Sequence, residues 1–204
     1  MLLFCFILTA HLESGNRSAV GETLQNLIQH LIRLAPEWPL AWRFAGDAQV
    51  SMGSHGMAIA SYCYFLQTSS KSFSIEPDLD DSLIRAMIRC FTHLKNPMKI
   101  AVAAQFLSEP DYCIAFQSLQ EFWPISNDAD DAFFPFICDA VLIEFLLNFY
   151  ETRGCDSKKQ LLTKLAIQNT PDLNPVSLKK PVQLEAKLGF FKLCFYEYCC
   201  GGST

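Results

Sequence analysis

Trp42 to Leu66 reads WRFAGDAQVSMGSHGMAIASYCYFL, and its spacing is that of two antiparallel helices joined by a glycine turn. Trp42, Ala45, Ala48, Gln49 and Met52 recur at i, i+3, i+4, and after Gly53-Ser54-His55-Gly56 the apolar rhythm resumes at Ile59, Tyr62, Cys63 and Leu66. Gly46 and Ala58 are the small residues. Where helices pack 8–10 Å apart on average, positions with little or no side chain allow the closest approach of the backbones. Trp42 and Tyr62 are then the large residues that fill the wedge beside them. These four residues, Trp42, Gly46, Ala58 and Tyr62, are the candidate structural positions of a helical repeat.

Working outward, Leu24, Leu27, Ile28, Leu31 and Leu34 form a helical stripe that leads up to Pro36, six residues before Trp42. This order resembles the tetratricopeptide repeat, in which Trp, Gly, Ala and an aromatic residue follow one another at fixed distances and a proline closes the preceding repeat. Ala45 stands where Leu is usual, Gln49 where Tyr is usual, and no proline closes the second helix near Ser70. The resemblance implies an all-α chain, an α-solenoid of antiparallel helix pairs in which each repeat buries its face on its neighbours. A plain helical hairpin with a chance Trp and Gly is the alternative.

The chain has 204 residues, half of them hydrophobic, and a net charge of −5, so it can bury a core. An acidic balance argues against a general nucleic-acid binder. The charge is uneven: residues 1–152 carry 8 Lys and Arg against 17 Asp and Glu, whereas residues 153–204 carry 8 against 4. The basic end suits either a different neighbour or solvent, and contact with RNA is a further reading of it. The nine cysteines lack paired zinc spacing and lie mostly inside apolar stripes, which reads as reduced core thiols. The opening MLLFCFILTA lacks a positive n-region and is followed by His11 and Glu13, so it reads as a helix of a preceding repeat. No apolar run reaches the roughly 18 residues of a membrane span.

Further along, Gln67 to Pro77 is a Ser-rich connection, and the chain divides into tetratricopeptide-like repeats at 1–76, further helical repeats at 77–168, and a loop with an apolar end at 169–204. Asp78, Asp80 and Asp81 open a helix carrying Leu83, Ile84, Met87, Ile88, Phe91 and Leu94. Asn96-Pro97 opens a short helix, and Asp111 opens one that ends before Trp123-Pro124. Asn127 to Asp131 is another acidic start, from which a single long helix is expected between Ala132 and Arg153, with Gly154 ending it and Pro135 tolerated early. Asp156 is expected to cap the next helix. Val182 to Cys200 begins as a helical stripe and becomes apolar on every side, so it is expected to dock on something outside the chain or to be poorly specified.

No reacting constellation emerges. His11, His30, His55 and His93 are isolated, the serines lack a hydrolase elbow, and the carboxylates at Asp78, Asp80 and Asp81 suit helix capping better than metal binding. The expectation is no catalytic, cofactor-binding or metal-binding residue and no enzyme.

A more specific likeness begins near residue 80. Ala101, Gln105-Phe106-Leu107, Glu109, Asp111-Tyr112, Ala115-Phe116 and Ser118-Leu119-Gln120-Glu121 resemble the C-terminal region of the Integrator complex subunit 8 family, as do Ile137, Asp139, Ile143-Glu144, Arg153-Gly154 and Lys158 to Gln160. The likeness covers about residues 80 to 160, and the aromatic, Cys-rich end departs from it. It implies a C-terminal fragment of a nuclear, non-catalytic scaffold. The implied partners are other Integrator subunits, the phosphatase 2A module indirectly, and the RNA polymerase II assembly, with no membrane and no direct nucleic acid. The implied role is to support small nuclear RNA 3′-end processing and transcription attenuation. An unrelated tetratricopeptide adaptor that holds a short peptide, with basic residues such as Arg43, is the competing reading.

Overall fold

The computed structural model describes residues 17–76, 79–123, 130–169 and 179–201, and among them every regular element is helical. The all-α class of paired helices expected from the sequence is the one found. The opening ten residues, Asp78, and residues 127–129 lie outside the described set. The described residues up to Leu79, together with those from Cys194 onward, make one compact unit, and Asp80–Leu193 a second.

In the first unit, α1 spans Arg17–Leu34, α2 Pro39–Ser51 and α3 His55–Ser69. Leu24 and Ile28 of α1 are buried against Ala45 and Ala48 of α2, with Leu27, Ile32, Phe44 and Met52 around them. α2 starts at a proline, whose missing N–H is no loss in a first turn, and Trp38 before it is held extended, as the proline ring demands. Gly53, at φ 76, turns the chain between α2 and α3. α3 ends on Ser70, whose hydroxyl donates to the Leu66 carbonyl at 2.6 Å and accepts from the Phe73 amide at 2.8 Å. That brace holds Lys71, Ser72 and Phe73 at φ 49, 59 and 62, a left-handed run that costs about 1–2 kcal/mol per residue. The unit is completed by a π-helical turn, Tyr196–Cys200.

In the second unit, α4 spans Asp81–His93, α5 Pro97–Ala104, α6 Tyr112–Phe122, α7 Ala140–Thr152, α8 Asp156–Asn169 and α9 Lys179–Phe195, whose last two residues fall in the first unit. Asp80 caps α4 through the Leu83 amide at 2.8 Å, and Asp111 caps α6 through Ile114 at 3.1 Å. All eight residues of α5 are buried, so it is the central rod of this unit.

Three expectations change. The long helix from Ala132 to Arg153 is two elements, a 3₁₀ helix at Asp130–Phe136 that contains Pro135, then α7. Proline cannot donate into an α-helical ladder, and the Asp139 carboxylate caps a new start by accepting from the Leu142 amide at 3.0 Å. Asp156 does not cap α8; it is the first residue of the helix, and the Cys155 carbonyl before it accepts from the Lys159 amide at 3.1 Å. The apolar end is not left bare: Phe190, Phe191 and Cys194 are fully buried, although Tyr196 stays half exposed. Phe190 meets Phe106 at 5.8 Å, Phe133 at 6.1 Å, and Phe91 and Phe136 at 6.4 Å, ring contacts within one unit.

Candidate functional site: a helical-repeat interaction surface

The repeat signature comes together around one close approach. Gly46, Ala58 and Tyr62 are buried, and the Tyr62 ring lies where a Cβ on Gly46 would stand. The Tyr62 hydroxyl, which an apolar wedge would orphan, donates to Asp47 Oδ1 at 2.8 Å. Trp42 does something different from Tyr62. Its indole donates to the Pro36 carbonyl at 2.8 Å, tying α2 back to the corner after α1, and its ring stacks on Tyr64 at 4.4 Å. Tyr64 is off the buried stripe of α3, which is why the spacing of apolar residues does not single it out.

That stack forms part of a groove of about 240 Å³. Its wall is Gln25, Ile28, Gln29 and Ile32 of α1, Trp42, Gln49 and Met52 of α2, and Met57, Ala60, Ser61 and Tyr64 of α3. No charged residue is in the lining. Ser61 donates to Gln49 Oε1 at 2.7 Å, which orients that amide. Arg43 is elsewhere, its guanidinium 5.8 Å from the centre of the Phe65 ring. Beyond Tyr64 the aromatic row continues through Phe195 at 5.3 Å to Phe73 at 5.9 Å from Phe195.

In the second unit three of the residues that carry the family likeness, Gln105, Tyr112 and Asp139, meet in one hydrogen-bonded junction. Gln105, buried at the end of α5, donates from Nε2 to the Phe136 carbonyl at 2.8 Å. Its Oε1 accepts from the amides of Cys138 at 3.0 Å and Asp139 at 3.2 Å. Tyr112 donates to Asp139 Oδ2 at 2.9 Å. Burial, reinforced by that bond to Asp139, raises the Tyr112 hydroxyl above its usual value. Cys138 is pushed up to about 11, first by burial and then by the neighbouring Asp139 carboxylate. These polar groups hold the backbone between the 3₁₀ helix and α7. The sequence shows their identities, but only the fold shows that they meet.

Three residues of the basic end, Arg153, Lys158 and Lys159, are engaged within the second unit. Arg153 lies 3.7 Å from the centre of the Phe149 ring, and Lys158 lies 5.0 Å from that of Trp123 and 3.7 Å from Asp131. Lys159 pairs with Glu151 at 2.9 Å. Of the histidines, His30 and His93 are exposed and His55 half-buried, while His11 lies outside the described residues. Among the described residues no group of three or more His, Cys, Asp or Glu could hold a metal. No helix among them is long and apolar enough to cross a membrane. Cys63, Cys90 and Cys194 are buried free thiols, but Cys113 and Cys200 are exposed, so the expectation of core thiols holds for part of the set.

Comparison with known proteins gives the same helical class. The family described as "INTS8, TPR repeats" matches residues 7–187. Integrator complex subunit 8 of Mus musculus is 31% identical over 180 residues, and that of Homo sapiens 30% over the same length. The Xenopus laevis protein is 27% identical over 180 residues. Each match covers 87% of this chain and 18% of the relative, so the chain spans about a fifth of the length of the curated relatives it matches. Since the repeat match runs through both units, beyond residues 80 to 160 where the likeness is legible by eye, this chain belongs to the tetratricopeptide-repeat family of Integrator subunit 8.

Proposed function

We propose that this chain is a non-catalytic scaffold segment of an Integrator-type complex in the nucleus. In this reading it offers helical surface to other Integrator subunits and indirectly supports the placement of a phosphatase 2A module near RNA polymerase II. The processes served are small nuclear RNA 3′-end processing and transcription attenuation. The observation that carries the reading is the match to subunit 8 over 87% of the chain. The paired helices and the uncharged groove of the first unit support it physically, because helix pairs in series offer surface without a reacting centre. Gly46, Ala58 and Tyr62 act in this reading as supports that set the distance between α2 and α3, whereas Trp42, stacked on Tyr64, is part of the groove's surface.

The test is recovery from nuclear extract with the tagged 204-residue chain as bait. Co-recovery of Integrator subunits, lost when the chain is heat-unfolded first, is the expected result. Recovery of chaperones or of a free peptide ligand, without any Integrator subunit, would overturn it in favour of a stand-alone peptide adaptor.

A further inference from the structure

Cys63 and Cys199 are brought together within the first unit. Cys63 faces inward on α3, fully buried, and lies within hydrogen-bonding reach of Cys199. The Cys199 thiol also donates to the carbonyl oxygen of Ala60, one helical turn before Cys63, at 3.5 Å. Cys199 is presented by the Tyr196–Cys200 π-helical turn, a rare geometry that re-aims the side chains it carries. Two thiols from elements far apart in sequence therefore share one point of contact, with Cys199 half-buried and on the outer side.

We propose that Cys63 and Cys199 are a thiol modification site, oxidised by a hydroperoxide to an intramolecular disulfide that fastens the 196–200 turn to α3. The chemistry balances in two steps. The Cys199 thiolate attacks the distal oxygen of the hydroperoxide; the O–O bond breaks, a sulfenic acid forms, and an alcohol, or water from hydrogen peroxide, leaves with a proton. The Cys63 sulfur then attacks the Cys199 sulfur, the S–O bond breaks, and water leaves with the Cys63 proton. The hydroperoxide is reduced by two electrons and the thiol pair is oxidised by two.

The assignment of roles follows from the surroundings of each sulfur. Burial, and then the hydrogen bond to Cys199, hold the Cys63 thiol protonated well above its usual range. The same bond, with Cys63 donating, lowers Cys199. Cys63 is fully buried whereas Cys199 is half-buried and within reach of a hydroperoxide, so Cys199 is the nucleophile and Cys63 the resolving thiol. Ala60 and Tyr64, on the same helix, line the groove, so the bond joins the C-terminal turn to one of its walls.

The experiment treats the full chain, on a Cys113→Ala background that removes an exposed competitor, with hydrogen peroxide, and maps the peptides without reduction. The expected dominant product is a Cys63–Cys199 linked pair, reversed by dithiothreitol, with Tm raised by about 5 °C. Cys63→Ala should leave Cys199 to over-oxidise, and Cys200→Ala should leave the linkage intact; circular dichroism establishes that both variants fold. A dominant Cys199–Cys200 or Cys194–Cys199 bond would overturn the proposal. So would over-oxidised Cys199 beside a free Cys63 in the chain that retains both.

Discussion

Gly46 shows what one missing side chain does here. Since the Tyr62 ring occupies the place of a Cβ, Gly46→Ala must push the ring or the helix, whereas Gly56 at the start of α3 has open space where a Cβ would go. The expected cost of Gly46→Ala is about 1–3 kcal/mol from overpacking. Gly56→Ala should be neutral or stabilising by up to about 1 kcal/mol, because alanine is the better helix former. Urea midpoints of the two variants check this; a Gly56→Ala loss as large as that of Gly46→Ala would show that helix propensity and not the close approach is being measured. The sequence pointed to Gly46 and Tyr62 through the spacing of a known repeat. It could not show that Trp42 leaves the wedge to Tyr62 and stacks on Tyr64, since a ring's partner depends on rotamers that spacing does not encode.

At the scale of elements, helix starts were more legible than helix interiors. Asp80 and Asp111 are recognisable before an apolar stripe, and both cap as a short acidic side chain should. Asp139 was not recognisable, because it falls inside what reads as a continuous apolar helix between Ala132 and Arg153. The interruption there is enforced from a distance: Gln105 takes the amides of Cys138 and Asp139, and Tyr112 takes the second oxygen of the Asp139 carboxylate. Asp139→Ala removes a cap and leaves the Tyr112 hydroxyl without that acceptor, so it should cost about 2–3 kcal/mol. Asp139→Asn, which can keep an oxygen for the Leu142 amide, should cost less than half as much. Chemical denaturation of the pair is the measurement, and equal losses would mean that the charge rather than the cap matters at this junction.

For the whole molecule the helical class was legible from periodicity, because each amphipathic stripe reports its own buried face whatever covers it. What covers a stripe is not local information, and this is why the apolar segment after Val182 looked unaccompanied. Its cover is a set of rings from α4, the end of α5 and the 3₁₀ helix, which the second unit assembles around Phe190. Gly189 permits that packing, since the Phe136 ring lies where its Cβ would be. Phe190 has no exposed surface, so Phe190→Ala forfeits its transfer free energy and leaves a cavity among rings that cannot collapse freely, a cost of about 3–5 kcal/mol. Such a loss is a large share of the 5–15 kcal/mol that ordinarily separates folded from unfolded chains. Ile167→Ala, at a position 69% exposed, should stay within about 0.5 kcal/mol of the parent. If the two substitutions shifted the unfolding midpoint alike, α9 would not be a core element of its unit, and the segment would revert to an apolar end awaiting a partner.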